Sequence, residues 1–202
     1  IDFAREQGDE KPITYFANGV LEIEESVHEY KSFDSFVKNL SYWSSWSTGM
    51  AIWKEDFEKL PKDITDFNEL FPHTNILFNE RQRDRYIIDN TPIMSELPTG
   101  AIPKARYDLF YAFAVEYPAI ILRLLMDDSI SIDTFLSVKR DNLNCIAQLY
   151  TDFFIKKKPC SYDLSSFDKS ILVFYEKKSF KKALGDVLVF KLKNKILKRI
   201  RD

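Results

Sequence analysis

The sequence predicts a mixed α/β, α-rich fold, with a partial sheet in the first half of the chain and a helical extension in the second. Short apolar or alternating runs bounded by turn residues fill residues 13–90, a pattern typical of strands and short helices. Apolar residues at helical spacing predict long helices over 107–126, 131–155 and 166–201. We therefore expect a sheet-containing part over residues 1–105 and a helical part over residues 106–202.

The composition is that of a folded chain. Its 202 residues are 45% hydrophobic and 30% charged, and only five are glycine, which excludes a disordered or collagen-like chain. The two cysteines, Cys145 and Cys160, are too few for a disulfide framework or a four-cysteine zinc site. This cysteine usage indicates a reducing compartment, and we expect a cytoplasmic protein.

The first strands are predicted on either side of an Asn-Gly pair. Residues 13–30 alternate around Asn18-Gly19, and both turn residues tolerate positive φ angles, which predicts a β-hairpin. The next element is a predicted helix over Phe33–Trp46, because its apolar residues share one helical face. Ser32 or Asp34 can act as its N-cap.

The middle of the chain alternates short elements with turn residues. The apolar run Met50–Lys54 predicts a buried strand, and Arg85–Asn90 predicts another. Asp66–Phe78 has helical spacing at both ends, although Pro72 requires a kink or a new start. Prolines and a glycine within residues 95–106 predict a loop.

The formal net charge of −2 hides a strong asymmetry. Residues 156–202 contain 14 basic and five acidic residues, a net of +9, whereas the rest of the chain carries −11. A basic tail of this kind is attracted to anionic surfaces such as phospholipid headgroups, or it forms a solvated helix face. Nucleic acid is disfavoured as a partner, because the acidic remainder would repel phosphates and no recognition motif is present.

One apolar stretch is long enough to raise the question of a membrane span. Leu109–Met126 contains Glu116, Pro118 and Arg123, and charges near the middle of a lone span are costly. We interpret it as a buried helix.

The three tryptophans of the chain stand around one small-residue turn. Trp43, Trp46 and Trp53 flank Ser47-Thr48-Gly49, in which the glycine permits close backbone approach and the hydroxyls can donate hydrogen bonds. Aromatic faces beside hydroxyl groups suit a saccharide, which presents C–H faces and OH groups. The alternative is a turn whose tryptophans belong to the core.

An acidic segment with a histidine follows. On a continuous helix Asp66, Glu69 and His73 would share one face, where a carboxylate could act as general base and the histidine could bind a metal or a phosphate. The alternative is a capping residue, a solvated acid and a structural histidine. Next come Arg81, Arg83 and Arg85, which alternate with Gln82 and Asp84. These arginines could bind a diphosphate, or they could form a solvated linker.

The runs SWSTGMAIWKEDF, TDFNELFPHTNILF and RDRYIIDN, taken in this order, resemble the C-terminal half of bacterial family 2 glycosyltransferases. These are inverting transferases of the GT-A fold that build O-antigen, capsule and related surface polysaccharides. The resemblance covers roughly residues 13–140 and consists of element order and residue type. It implies a partial GT-A-like sheet with an acceptor-binding role over residues 1–105, followed in the chain by a helical extension over residues 106–202.

The resemblance also implies roles for individual residues. The acceptor-side turn would be Trp46-Ser47-Thr48-Gly49, with Arg81 as a further substrate-binding residue, and the catalytic base would be Asp66 or Glu69, with Asp66 slightly preferred. His73 would lie near a Mg²⁺ or Mn²⁺ ion and the nucleotide diphosphate. The neighbouring Glu55-Asp56 pair fits a structural position better. The substrates would be a nucleotide-sugar donor and a lipid-linked saccharide acceptor at the inner face of the cytoplasmic membrane.

The family's nucleotide-binding half and its Asp-x-Asp motif do not precede these runs, and the sequence begins at Ile1 and not at Met. We therefore expect a piece of a longer protein that lacks most of the donor site and is not active alone. The rival hypothesis is a non-enzymatic interaction module, of the phage or immunity type, that uses an acidic body and a basic tail for protein contacts.

Overall fold

A computed structural model of the chain describes residues 7, 10–23, 26–60, 67–79, 81–95 and 106–201. The fold is mixed α/β and α-rich, as the sequence predicts. Its residues cluster into two compact units, one formed by Ile1–Leu97 and Ile120–Val138, the other by Pro98–Ala119 and Lys139–Asp202. The boundary predicted between residues 105 and 106 stays a prediction, because residues 96–105 lie outside the described part.

A three-stranded mixed sheet lies at the centre of the first unit. Its strands are β1 (Ile13–Phe16), β2 (Val27–Tyr30) and β3 (Tyr86–Asp89), in the order β1-β3-β2. β3 runs parallel to β1 and antiparallel to β2, and all four of its residues are buried. A strand that is buried on both faces has a nearly continuous apolar sequence, here Tyr86-Ile87-Ile88, which is why β3 could be predicted from the sequence.

The predicted β-hairpin over residues 13–30 is wrong, although its turn is present. Asn18 and Gly19 have φ angles of 56° and 78°, and the Val20 N–H donates to the Ala17 carbonyl oxygen over 3.2 Å. The Asn18 carboxamide then accepts hydrogen bonds from the backbone N–H groups of Ile93 and Met94, at 2.8 and 2.7 Å. The turn is therefore held by the segment that follows β3, and β3 occupies the place between β1 and β2.

Helix α1 (Phe33–Leu40) covers the sheet with one apolar face. The Ser32 hydroxyl accepts a hydrogen bond from the Ser35 N–H over 3.2 Å, so Ser32 is the N-cap. The other candidate cap, Asp34, instead accepts from the Ser131 N–H at 2.7 Å. The face of α1 toward the core consists of four buried side chains, Phe33, Phe36, Val37 and Leu40. The α-helix ends at Leu40, earlier than predicted, and short 3₁₀ turns follow at Ser41–Ser45 and Ser47–Gly49.

The strand predicted over Met50–Lys54 does not form. Met50 makes only an isolated antiparallel bridge with Tyr15, and the Ala51 N–H donates to the Thr14 carbonyl oxygen over 3.3 Å. This segment therefore runs along the outer edge of β1 for two residues before helix α2 (Lys54–Lys59) begins. Helix α3 (Pro72–Asn79) follows the undescribed residues 61–66 and the bend that comes after them.

The predicted long helices of the second half are confirmed, with two refinements. The observed elements are α4 (Leu109–Tyr111), a π-helical segment (Ala112–Glu116), α5 (Tyr117–Met126), α6 (Ile132–Tyr150), a second π-helical segment (Thr151–Ile155), α7 (Phe167–Phe174) and α8 (Lys177–Arg201). The first refinement is a break at Tyr175, which separates the helix predicted over 166–201 into α7 and α8.

The π-helical segment before α5, the second refinement, has a cause in the sequence. The Tyr117 N–H donates to the carbonyl oxygen of Ala112, five residues back. Pro118 comes next in that register and has no N–H, so the Phe113 carbonyl oxygen lacks its helical donor. The fully buried Asn142 supplies the missing hydrogen bond, from its side-chain nitrogen to this oxygen over 2.7 Å.

Within the part of the chain that the structure describes, Leu109–Met126 is the one helical stretch whose length and apolarity would suffice to cross a membrane. Just over half of it, 56%, is buried inside the protein.

Candidate functional site

The predicted acceptor-side turn is clamped onto the carboxyl end of β1. A Cβ atom on Gly49 would lie 2.5 Å from the Phe16 carbonyl oxygen and 2.5 Å from the Tyr15 ring, so only glycine fits there. The Tyr15 hydroxyl lies 2.6 Å from the carbonyl oxygen of Trp43 and 2.9 Å from that of Trp46, and donates to this pair. Burial raises the pKa of Tyr15 well above its usual value, which keeps the hydroxyl protonated as a donor.

This clamp leaves the outer side of the turn open to solvent. Trp46 is 39% exposed, and Ser47 and Thr48 are exposed, whereas Gly49 is buried beneath them. The turn packs on Tyr15 and Phe16, the last two residues of β1, at the edge of the sheet away from β3.

An aromatic cluster, formed by Tyr42, Trp43 and Trp46, stands beside the hydroxyls. The ring centroids of Trp43 and Trp46 are 4.7 Å apart, and Tyr42 lies 5.1 Å from Trp43 and 5.9 Å from Trp46. Such contacts hold large rings in fixed orientations. The third tryptophan is used elsewhere, because the Trp53 indole N–H donates to the Pro12 carbonyl oxygen over 2.9 Å.

The first residues of helix α3 are hydrogen-bonded to the 3₁₀ turn Ser41–Ser45, which directly precedes the acceptor-side turn. The His73 Nε2–H donates to the Ser45 carbonyl oxygen over 2.7 Å, and the Thr74 hydroxyl donates to the Ser44 carbonyl oxygen over 2.9 Å. The structure thus brings His73 beside the tryptophan-flanked turn. Neither Thr74 nor Tyr15 was among the predicted site residues, since a single threonine or tyrosine in an apolar run gives no signal of its role.

The hydrogen bond also fixes the chemistry that His73 can perform. Burial lowers the pKa of His73, and the hydrogen bond to Ser45 opposes this only in part, so the ring is neutral at pH 7. Because a carbonyl oxygen can only accept, Nε2 carries the proton and Nδ1 keeps its lone pair. His73 therefore offers one ligand or acceptor atom. In the described ranges no group of three or more His, Cys, Asp or Glu side chains could hold a metal ion.

Residues 67–71 are not helical. The expected continuous helix, which would have carried Asp66, Glu69 and His73 on one face, therefore does not form there. α3 begins at Pro72, and the Asn68 carboxamide accepts hydrogen bonds from the N–H groups of Leu70 and Phe71 at 2.9 and 3.0 Å. The residue before a proline avoids the helical region, and an asparagine side chain favours a turn, so a helix cannot continue through this point.

Of the two candidate bases, Glu69 and Asp66, the structure describes Glu69. Glu69 is exposed in the bend ahead of α3. This bend is tied to the helix, because the Asn68 N–H donates to the Asn75 carboxamide oxygen over 2.9 Å. Asp66 lies outside the described residues.

All three arginines that follow α3 in the chain form ion pairs with carboxylates. Arg81 pairs with Asp127 at 2.8 Å, and both side chains remain about 40% exposed. Arg85 contacts Glu10 and Glu29, each at 2.7 Å. These pairs offset charge that a diphosphate would otherwise meet, and Arg81 keeps enough exposure to contact a substrate.

Arg83 belongs to a buried ion pair. Its guanidinium contacts Asp56 at 2.6 Å, and Asp56 is only 2% exposed. The second carboxylate oxygen of Asp56 is buried without a hydrogen-bond partner. Asp56 therefore fits the structural position expected for it, and its neighbour Glu55 points to solvent, where it pairs with Lys11 at 3.1 Å.

The chain matches no protein-family model, no curated protein and no solved structure. Any functional conclusion therefore depends on the residues of this chain alone.

Proposed function

We propose that this chain is the acceptor-binding and C-terminal part of an inverting glycosyltransferase. The enzyme would move a sugar from a nucleoside-diphosphate donor to a hydroxyl group of a lipid-linked saccharide. The observation that carries the proposal is the exposed turn Trp46-Ser47-Thr48, which stands beside the Tyr42–Trp43 stack at the carboxyl end of a parallel strand.

Each part of this surface suits a saccharide. The apolar face of a pyranose ring packs on an aromatic ring, and Trp46 is an aromatic side chain held in place and partly open to solvent. The hydroxyls of Ser47 and Thr48 can donate to, and accept from, the hydroxyls of the sugar. Tyr15 and Gly49 keep the backbone of the turn rigid, which reduces the entropy lost when the ligand binds.

The proposed reaction is a single displacement. The acceptor oxygen forms a bond to the anomeric carbon of the donor sugar as the bond from that carbon to the diphosphate breaks, which inverts the configuration. Glu69 or Asp66 takes the proton of the acceptor hydroxyl. No step is assigned to a metal ion, because His73 Nδ1 alone does not make a metal site. As a lone-pair acceptor, Nδ1 would be one ligand of such a site and cannot hydrogen-bond a diphosphate oxygen.

Saccharide binding is the direct test on this chain. A bacterial glycan array first identifies oligosaccharides that bind the chain, and isothermal titration then measures their affinity. Trp46→Ala should weaken that affinity at least about ten-fold. Phe57→Ala is the matched control, since Phe57 is an aromatic residue of the same unit that is 60% exposed. If no saccharide binds, or if both variants bind as the parent does, the proposal is wrong and an interaction module is the better description.

The base is tested in the native protein that carries this chain. Glu69→Gln and Asp66→Asn should differ, with one variant losing kcat by about 10²-fold or more at unchanged stability. Full activity in both variants would remove both acids from the mechanism.

A further inference from the structure

The C-terminal helix α8 is anchored along one side in its first half. Phe180 and Ala183 are buried, at 7% and 5% exposure. About two helical turns after Ala183, the Lys191 ammonium contacts the Asp152 carboxylate at 3.2 Å. These three residues lie on one face of the helix, so the opposite face points away from the second unit.

That outward face changes character along its length. At 100° per residue it carries three exposed lysines in the first turns, Lys178, Lys181 and Lys182, followed by the exposed Asp186. The next turns of the same face carry Leu188, Val189 and Leu192, which are 40%, 53% and 60% exposed. Phe190 and Leu197, on other sides of the helix, are also more than half exposed. A basic band is thus followed by turns that expose aliphatic side chains.

We propose that the outward face of α8 binds the surface of an anionic lipid bilayer. Leu188, Val189 and Leu192 would enter the boundary between headgroups and acyl chains, and the basic band would contact lipid phosphates. This proposal uses only the second unit and does not depend on the glycosyltransferase proposal.

Charge complementarity selects this partner over the alternatives. Residues 187–201 contain six basic residues and no acidic residue. A second copy of the same segment would bring like charges together, which opposes self-association. Nucleic acid would satisfy the lysines and leave the exposed aliphatic side chains in water. A bilayer with anionic headgroups satisfies both.

Vesicle flotation of the full chain tests the proposal, with phosphatidylcholine vesicles prepared with and without phosphatidylglycerol. We expect strong binding only when phosphatidylglycerol is present. Replacing Lys178, Lys181 and Lys182 by glutamine should weaken binding about five-fold per lysine at low salt. The triple change Leu188→Ser, Val189→Ser and Leu192→Ser should weaken it at least about ten-fold.

The matched control is the double change Leu172→Ser and Val173→Ser on α7. These two side chains belong to the same unit and are 58% and 59% exposed, so the change removes similar apolar surface elsewhere. Circular dichroism verifies the fold of each variant. Binding that ignores lipid charge, or that falls equally in the α7 control, would overturn the proposal. Saccharide titration is read separately, so either proposal can fail alone.

Discussion

Gly49→Ala is the sharpest test of how the candidate acceptor turn is held. The new Cβ would lie 2.5 Å from a backbone carbonyl oxygen and from the ring of Tyr15, which is 2% exposed and cannot swing away. Ordinary carbon contacts begin near 3.5 Å, so the turn must retreat from β1 by about 1 Å. That movement stretches the hydrogen bonds from Tyr15 to the carbonyl groups of Trp43 and Trp46.

The expected cost follows from these two effects. Overpacking a buried site typically costs about 1–3 kcal/mol, and a weakened buried hydrogen bond adds about 1 kcal/mol. We therefore expect Gly49→Ala to lower the free energy of unfolding by about 2–4 kcal/mol. For a unit of roughly a hundred residues this corresponds to a fall in Tm of about 10–20 °C.

The tryptophans make the assay specific. All three, Trp43, Trp46 and Trp53, lie in the first unit, so urea denaturation followed by tryptophan fluorescence reports on that unit. Gly185→Ala is the control: nothing lies within 4 Å of its Cβ position, and α8 should gain about 1 kcal/mol of helix stability without moving the fluorescence transition. If the unfolding free energy of Gly49→Ala lies within about 0.5 kcal/mol of the parent's, Gly49 is not packed tightly against β1 and the reasoning is refuted.

Two other outcomes can be measured on the second unit. Burial alone would raise the pKa of Asp152, but hydrogen bonds from Lys158 and Lys191 lower it to about 2. Because this is below the pKa of an unfolded aspartate, the carboxylate stabilises the fold above about pH 4, and this is lost as the pH falls toward 2. Urea titrations of Asp152→Asn should therefore show a loss of unfolding free energy between about pH 4 and pH 2 that is about 1 kcal/mol smaller than in the parent. An unchanged pH profile would contradict these contacts. Burial raises the pKa of the Cys145 thiol to about 12. In the Cys160→Ser variant, where Cys145 is the remaining cysteine, a thiol reagent near pH 8 should therefore label the protein only after unfolding. Rapid labelling of the folded variant would contradict the burial of Cys145.

Elements that depend on local pattern could be predicted from the sequence. The spacing of Phe33, Phe36, Val37 and Leu40 specifies an amphipathic helix, and the apolar run at β3 specifies a buried strand. The partner of a strand is not a local property. Alternation on both sides of Asn18-Gly19 favours a hairpin, yet β1 and β2 each gain more by pairing with the fully buried β3.

The candidate site was predictable only in part for the same reason. The turn at Gly49 was recognised because a glycine beside small residues implies close approach, but its contact is with β1 and not with a ligand. Spacing placed Glu69 and His73 on one helix, and Pro72 with Asn68 prevented it. The ion pair of Arg83 with Asp56 joins residues 27 positions apart, and no local pattern reveals such a pair.

The position of β3 between β1 and β2 has a consequence for how the chain is made. β1 forms a ladder with β3, whose first residue, Tyr86, follows Ile13 by about 70 residues. At ribosomal rates of about 5–20 residues per second, several seconds pass between the synthesis of β1 and β2 and the synthesis of β3, the strand with which both pair. Unpaired strand edges invite aggregation during that interval, so nascent chains stalled before β3 should need chaperone protection, whereas those stalled after it should not.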